Sequence, residues 1–591
     1  MYQARLAELR QVAAQRDQRH GQLAYLRIGL VGVAIAAFAV AGWQGAPIAL
    51  GAVAAFIIVA VYHARVIAAR DRALAAAAYY ERGLRRIGDD WIGRGDPGDR
   101  FRPESHLYAE DLDLFGRGSL FELLATTRTQ AGQETLAHWL LAPAEPALVR
   151  ERQAAVRELA PRHDLREAMA VAGDGLPRAG IDARRLRVWA GVPPILTRAW
   201  PRVAMALASM VVLPTIVAAY YYGDLPVWLA RSVAAVFAGQ AVWVLYLRAR
   251  VGAVIGTVDE AAHDLDLFAS LLRVLEHETF TSPRLQALGA ALARTHRPAS
   301  AEIARLDQLG ALLASRSNLI AAIPAALTFW GTQLALAIDA WRTRLSADVP
   351  RWLDVIGEFD ALLALAAFAA EHPDHAYPLF EDGAAHVDAH GLAHPLLPRS
   401  AVANDVRLGG SAPHLLVVSG SNMSGKSTLM RALGLNVVLA QAGAPVRATG
   451  FVLTPLAIGA SIRVNDSLAD GKSRFYAEIV RLKAIVDLVS THGGHVLFLL
   501  DEILSGTNSH DRRHGAQALL MGLVDRGAVG IVTTHDLALG AIADQLGERA
   551  TNMHLEDQFA DGVMTFDYRL RPGVVQTSNA VALMRSIGLD V

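Results

Sequence analysis

The sequence predicts a multidomain protein: an α-helical body carrying two transmembrane helical hairpins, followed by a C-terminal α/β domain built around a P-loop. Three observations carry that reading. Apolar stretches come in two pairs, the first free of charge and the second interrupted only by Arg231, each broken by a turn containing Gly and Pro. Elsewhere in the first two thirds, apolar residues recur every three or four positions. From about residue 391, short apolar runs alternate with helical stretches. Composition agrees, because 53% of the 591 residues are hydrophobic, 19% are charged and mean hydropathy is +0.27. That is too apolar for a disordered chain and high for an ordinary soluble enzyme. Cysteine is absent, which excludes disulfides, thiolate metal sites, iron–sulfur clusters and a cysteine nucleophile. The formal net charge of −1 gives no overall electrostatic case for a polyanionic partner.

In chain order, residues 1–27 form an N-terminal helix and 28–62 the first hairpin. The hairpin holds no Asp, Glu, Lys or Arg, and Trp43-Gln44-Gly45-Ala46-Pro47 divides it into two stretches of 15 residues. Each falls short of the roughly 20 residues that cross a hydrocarbon core, so flanking residues share the crossing. The second hairpin pairs 203–222 with 225–247 through Gly223-Asp224-Leu225-Pro226. Only Arg231 interrupts it, near enough to the tip for its stem to snorkel. Arg16, Arg19, Arg27, Arg65, Arg70 and Arg72 flank the open end of the first hairpin, and Arg198, Arg202, Arg248 and Arg250 that of the second. Neither tip carries a cation before Arg231. The positive-inside rule therefore places both ends of each hairpin on the cytoplasmic side of an inner membrane, and the rest of the chain with them.

The helical body runs from 66 to 390, with the second hairpin inserted at 203–247. Its periodicity shows in Val149, Gln153, Val156, Leu159 and again in Leu265, Phe268, Leu271, Leu272, Leu275. An uncharged run at 318–338 contains Pro324 and Gly331. It reads as a buried helix, since a fifth span would put the C-terminal domain on the other side of the membrane.

Residues 391–591 form the α/β domain, with strands expected at Leu415–Ser419, Val496–Leu500 and Val529–Thr533. Gly420-Ser421-Asn422-Met423-Ser424-Gly425-Lys426-Ser427 fits G-x-x-x-x-G-K-[ST], follows a strand and opens a helix at Thr428. A nest of backbone N–H groups at a helix N-terminus cradles phosphates, Lys426 adds a point charge, and the Ser427 hydroxyl reaches Mg2+. Composition singles out that lysine, because only Lys426, Lys472 and Lys483 occur among 56 basic residues. A compact ammonium enters a phosphate cradle that a planar guanidinium does not. Lys483, beside Arg481 on a helical stretch, reads as a solvated face. The strand 496–500 ends in Asp501-Glu502, a metal-holding carboxylate next to one that can orient the attacking water. His535 follows the next strand and would sense the γ-phosphate. His510 and His514, four apart, flank Arg512-Arg513 and read as a solvated loop rather than a metal pair.

This order resembles the ATPase domain of the MutS family. The likeness lies in Asn422-Met423 inside the P-loop, in Asp466-Ser467-Leu468-Ala469-Asp470-Gly471-Lys472-Ser473-Arg474-Phe475-Tyr476-Ala477-Glu478, and in Asp501-Glu502-Ile503-Leu504-Ser505-Gly506-Thr507-Asn508-Ser509-His510-Asp511. Upstream, Leu112-Asp113-Leu114-Phe115, Gly118-Ser119-Leu120, Trp139-Leu140 and Arg152-Gln153 resemble the start of that family's helical core. Asp360-Ala361-Leu362 resembles the core's end and His394-Pro395 the entry to the ATPase. The resemblance implies an ABC-type ATPase using ATP and Mg2+, working as a homodimer whose closure is coupled to binding mismatched or structured DNA. It implies that Ser473 reaches the partner's γ-phosphate in trans, and that Asn508 and Asp511 line the interface. On the residues alone, Ser473 could equally cap the helix that follows.

The departures are informative too. No mismatch-reading domain is expected ahead of residue 101, and no dimer-clasping appendage or nuclease after Val591. The position where relatives stack an aromatic on adenine is Ala401, so base stacking must come from elsewhere. Residues 101–390 carry a net charge of about −6, so non-specific DNA binding is expected to be weak. Two alternatives stay open: an ABC-like machine that moves the hairpins, and an ATP-gated scaffold that does not act on DNA. Against the first, the chain has no L-S-G-G-Q segment.

Overall fold

The computed structural model describes the chain except residues 173–182, 192, 195–199, 224–225, 294–296, 315–327, 422–423, 464–473, 505–507, 536, 561–562 and 576–591. Two compact units emerge. One comprises 1–126, 134–166 and 362–591, and the other 127–133 and 167–361. The body expected over 66–390 is thus divided between them.

The first unit opens with helix α1, Tyr2–Ala41, a short 3-10 turn at Gly42–Gly45, and α2, Ala46–Ile87. The turn falls where the sequence breaks, and α2 starts with Pro47 in its first turn, where a missing N–H costs nothing. Both helices extend well beyond the apolar tip. α2 runs unbroken past residue 62, so the expected boundary at 66 has no structural counterpart. Below the tip the helices are joined by polar pairs, Arg70 Nη1 to Asp17 at 3.0 Å and Arg10 to Glu81. Near the tip Val31, Ile35, Phe38, Trp43, Ile48, Leu50 and Ile58 are exposed. At the base, Arg86 forms a bidentate pair with Glu371 at 2.6 and 2.7 Å, and Glu371 is buried. Removing one partner of a buried pair strands the other charge, a loss of about 3–5 kcal/mol.

Helices α3 (Leu120–Leu124), α4 (Gln130–Leu141), α5 (Pro146–Leu159) and α6 (His163–Ala172) follow, with the start of α4 and the end of α6 belonging to the second unit. Ser119 caps α3 by accepting from Glu122 N at 3.2 Å, while Glu122 reaches back past the cap to accept from Gly118 N at 2.7 Å. The segment around Leu112–Phe115, expected at the start of the helical core, instead packs on the C-terminal α/β domain. Asp111 Oδ1 accepts from Ile462 N and Arg463 N at 2.6 and 2.8 Å, and its other oxygen pairs with Arg481. Arg481 also donates to Ala460 O and His106 O. A carboxylate with these donors supplies backbone caps that the local chain lacks, which is why the segment belongs here.

The second unit holds α7 (Ala183–Ala190), α8 (Trp200–Tyr222), α9 (Val227–Glu276), α10 (Pro283–Leu292), α11 (Ala299–Ala314), α12 (Trp330–Leu345) and most of α13 (Asp348–Glu371). The pair α8 and α9 is the second apolar hairpin, tied by Gln240 Nε2 to Met205 O at 2.9 Å. The first part of the 318–338 run lies outside the described residues; from Trp330 it is helical, and Ala335, Leu336 and Ile338 are buried. Asp360 on α13 accepts from Arg128 N, Thr129 N and Thr129 Oγ1, each at 2.8 Å, and so caps the start of α4 from a distant helix.

The α/β domain belongs to the first unit. Its strands begin at Leu379, earlier than the texture change at 391 suggested. A four-stranded sheet, ordered β1-β5-β2-β3, combines Leu379–Phe380, Gly450–Leu453, His386–Leu392 and Asn404–Gly409. A six-stranded sheet, ordered β10-β9-β4-β8-β7-β6, carries Val563–Pro572, Ala550–Ala560, Leu415–Gly420, Val529–Thr534, Val496–Asp501 and Ala457–Ser461. All pairs in it are parallel except β9 with β10. Strands β4 and β8 are buried along their whole length, as a sheet covered by helices on both faces requires. The covering helices are α14 (Lys426–Ala442), α15 (Arg474–Thr491), α16 (Ser509–Asp525) and α17 (Leu537–Leu546).

Candidate nucleotide site

The site forms where β4, β7 and β8, three adjacent parallel strands, end on one edge. This is the carboxyl edge at which open α/β sheets bind ligands. The chain leaves β4 at Gly420, where a Cβ would lie 2.7 Å from Leu555 O, and enters α14 through Gly425 at φ 98°. No side chain is tolerated in either place without strain.

Lys426 is the first residue of α14 and is only 5% exposed. Its ammonium donates to Gly420 O and Ser421 O, both at 2.8 Å, so it is folded into the loop it would share with a phosphate. Burial pushes its pKa down, and Glu502, Asp501 and Asp557 pull it back up. Ser424 Oγ donates to Ser421 O at 2.9 Å, and Thr428 is exposed at the helix start. Ser421 Oγ is buried without a hydrogen-bond partner. An orphaned hydroxyl beside free helix N–H groups is a position that an anionic ligand would satisfy. Asn422 and Met423 lie outside the described residues.

Ser427 Oγ donates to Asp501 Oδ2 at 2.5 Å, and Thr533 Oγ1 donates to the other oxygen of the same carboxylate. The two expected metal-holding residues therefore meet, next to the lysine. A hydroxyl and a carboxylate make a hard-oxygen donor set, which fits Mg2+. Glu502 follows at φ 47° and Leu504 at φ 55°, two non-glycine residues in the left-handed region within three positions. That turn is held by Glu502 N donating to Thr533 O at 3.2 Å and by Leu504 N donating to the buried carboxylate of Glu478. Strain of this kind persists only where the surroundings enforce it, and it turns the Glu502 side chain off the strand axis. Its Oε1 lies 3.1 Å from His535 Nδ1. The structure thus brings Lys426, Ser427, Asp501, Glu502 and His535 together.

Ser473 and the rest of 464–473 lie outside the described residues. Asn508 caps α16, accepting from Asp511 N at 2.9 Å. Lys483 pairs with Asp487 at 2.6 Å on an exposed helix face, as read from the sequence. His510 and His514 are exposed with ring centroids 4.6 Å apart, and no cluster of three metal-ligating side chains occurs among the described residues.

Sequence reasoning missed Tyr568. It lies at φ 54° in an irregular stretch of the β9–β10 pairing, where the register shifts between Phe566 and Leu570. Asn404 holds that stretch, donating to Tyr568 O at 3.0 Å and accepting from Leu570 N at 2.7 Å. The ring is so near Gly425 that a Cβ there would meet Tyr568 Cδ1 at 3.0 Å. Ala401 offers no aromatic, and the strand pair brings one beside Gly425. The only sequence signal was Asn404 itself, a turn-forming side chain at the start of β3.

Comparison with known proteins bears on this arrangement. Residues 416–590 match the family model of MutS domain V. The chain is 36% identical over 241 residues to a DNA mismatch repair protein MutS of Natronomonas pharaonis, covering 40% of this chain and 27% of that protein. It is 34% identical over 249 residues to an endonuclease MutS2 of Thermus thermophilus, covering 42% and 32%. With the DNA mismatch repair protein MSH6 of Arabidopsis thaliana it shares 30% over 271 residues, covering 42% and 20%. The chain thus spans no more than about a third of the length of these curated relatives. A mostly helical N-terminal region precedes an α/β domain that carries the P-loop, the acidic pair and the strand-end histidine in this order, and over residues 416–590 that domain is similar to domain V of the MutS family.

Proposed function

We propose that the chain is a membrane-anchored MutS-type ATPase that hydrolyses Mg2+-ATP and acts on nucleic acid in DNA repair. The observation that carries the reading is the meeting of Lys426, Ser427, Asp501, Glu502 and His535 at one sheet edge. Lys426 and the helix N–H groups hold the phosphates. Ser427 and Asp501 would hold Mg2+, which supplies charge neutralisation on the phosphate oxygens when bound. Glu502 accepts a proton from the attacking water, and His535 keeps that carboxylate aimed at the γ-phosphate side. A homodimer in which Ser473 completes the partner's site follows from the family likeness, with ATP binding closing the pair.

Tyr568 gives the base a stacking surface in place of the missing aromatic at Ala401. Stacking of a base on an aromatic ring contributes about 1–3 kcal/mol. Tyr568→Ala is expected to raise the Kd for ATP roughly 5- to 100-fold while leaving the rate at saturating ATP within about two-fold. Titration with ATP and with triphosphate alone checks this, because only ATP binding should weaken.

The membrane reading rests on exposed apolar surface. Among the described residues, three helical stretches are long and apolar enough to cross a bilayer. In the first hairpin Tyr25 and Tyr62 are exposed at one level and Trp43 at the other. At the helical rise they are separated by about 27 Å, close to the thickness of a hydrocarbon core with interfacial aromatics at each side. The arginines around the open ends orient the chain with its α/β domain in the cytoplasm.

A second reading, an ATPase indifferent to DNA, draws on the net charge of about −6 over residues 101–390. The experiment that separates them is ATP turnover of the full chain in nanodiscs, with and without duplex, mismatched and branched DNA, at two salt concentrations. Stimulation that weakens with salt is the expected result. A rate unchanged by every DNA at low salt overturns the nucleic-acid part of the proposal.

A further inference from the structure

The open end of the first hairpin holds a polar cluster that the nucleotide site does not use. His20 Nδ1 on α1 lies 2.7 Å from His63 Nε2 on α2, with the rings 4.8 Å apart. Arg27, two turns above His20, reaches across to α2. Its Nη1 lies 3.2 Å from His63 Nδ1, and its guanidinium sits 4.9 Å from the centroid of the Phe56 ring. His63 is 3% exposed, and Arg27 Nε is buried without a hydrogen-bond partner. Long arginine side chains at such levels usually snorkel outward. This one turns inward, at the height where Tyr25 and Tyr62 mark the start of the apolar surface.

The hydrogen-bond chemistry of the cluster is one-sided. A guanidinium only donates, so His63 accepts through Nδ1 and carries its proton on Nε2. That proton goes to His20 Nδ1, which leaves His20 with its own proton on Nε2. Read along the chain from Arg27 to His20, every bond points the same way and both ends are donors. The cluster holds one fixed positive charge and, among the described residues, no carboxylate pairs with Arg27. Nearby Asp17 and Asp71 are both taken by Arg70. A partly buried cation whose remaining donors face no acceptor is costly unless an anion completes it.

We propose that Arg27, with His63 and His20 behind it, is a binding site for the phosphate of an anionic phospholipid, set between the two helices at the cytoplasmic interface. The proposal rests on the membrane reading of the first hairpin. The position argues for a lipid phosphate over a free one: the guanidinium stands beside Phe56 at the edge of the charge-free 28–62 segment, where headgroup phosphates lie. With Nη1 on His63 and Nε buried, Nη2 is the donor that a phosphate oxygen would meet, and the delocalised guanidinium charge stands behind it.

The test uses the full chain, purified in mild detergent and titrated with phosphatidylglycerol, with bound lipid counted by native mass spectrometry. The expected result is one tightly retained lipid whose apparent Kd rises at least ten-fold in Arg27→Gln and less in Arg27→Lys. Arg19→Gln removes an exposed arginine of the same helix and should leave that affinity unchanged. Equal lipid retention by wild type, Arg27→Gln and Arg19→Gln overturns the site. So does displacement of the lipid by millimolar inorganic phosphate, which would make the ligand a free anion. A carbonate wash of membranes separates this from the premise. If the wild-type chain is released, the membrane reading itself fails; if it stays while Arg27→Gln retains lipid normally, only the site falls.

Discussion

Lys426→Ala is expected to abolish measurable ATP binding, raising Kd by roughly 100-fold or more and removing turnover with it. The ammonium is 5% exposed and already positioned within the loop by Gly420 O and Ser421 O. In the absence of phosphate those two carbonyls are its acceptors. With phosphate present, it exchanges them for charged oxygens, and bonds to charged groups contribute about 1.5–3 kcal/mol each. Losing two such bonds accounts for the expected factor. Arginine is no substitute, since its planar fork does not fit the space a point charge occupies between Gly420 and Ser421. Calorimetric titration with ATP and Mg2+ checks the result. Wild-type turnover in the alanine variant would remove the P-loop from the mechanism. Folding is not at risk, because the substitution deletes a buried cation at the first position of a helix and leaves the surrounding strands intact.

Glu502→Gln is expected to separate binding from chemistry. ATP affinity should stay within a few-fold, while turnover falls by about 10²–10⁴, the usual contribution of a positioned proton acceptor. The amide keeps the shape of the side chain and leaves the Glu502 N–H bond to Thr533 O in place, so the turn with its two positive-φ residues should survive. What it removes is the basic oxygen 3.1 Å from His535 Nδ1. Single-turnover hydrolysis beside equilibrium binding reads the two effects apart. If turnover persists at the wild-type rate, the carboxylate does not accept the proton and His535 must be examined in its place.

Much of this was legible in the sequence because it is local. A strand followed by G-x-x-x-x-G-K-S is a contiguous pattern, and so is an apolar run that ends in Asp501-Glu502. The first hairpin announced itself through the charge-free residues 28–62 and the turn at Trp43–Pro47, which the structure places at Gly42–Gly45 between two long helices. Rarity helped as well: three lysines in a chain that otherwise uses arginine point to a place where only an ammonium will do.

Other features depend on which strands become neighbours. Ser427 and Asp501 meet across 74 residues because β4, β8 and β7 lie side by side, and nothing in the spacing of the two motifs states that order. Tyr568 reaches Gly425 because β9 pairs with β4 and β10 folds back on β9 with a register shift; a tyrosine in a late strand carries no mark of that destination. The segment 107–115 reads as the beginning of a helical core, yet Asp111 draws it onto β6 and α15 through donors about 350 residues further along the chain. The body expected as one piece is divided into two units for the same reason, since helical periodicity tells which face is apolar but not what covers it.

The sequence alone determined the groups on which the proposed chemistry draws: a P-loop pattern, a serine and a carboxylate of the kind that suits Mg2+, a glutamate of the kind that accepts a proton, and paired apolar stretches close to the length that crosses a bilayer. Those are properties of residue type and short-range order, set by backbone geometry and by the cost of burying charge. Only the tertiary structure decided which of these groups face one another, which aromatic stands beside the loop, and that Arg27 turns inward to a histidine pair. Contacts of that kind arise from packing between elements far apart in the chain, where the free energy lies in fitting surfaces together and no single stretch of sequence records the outcome.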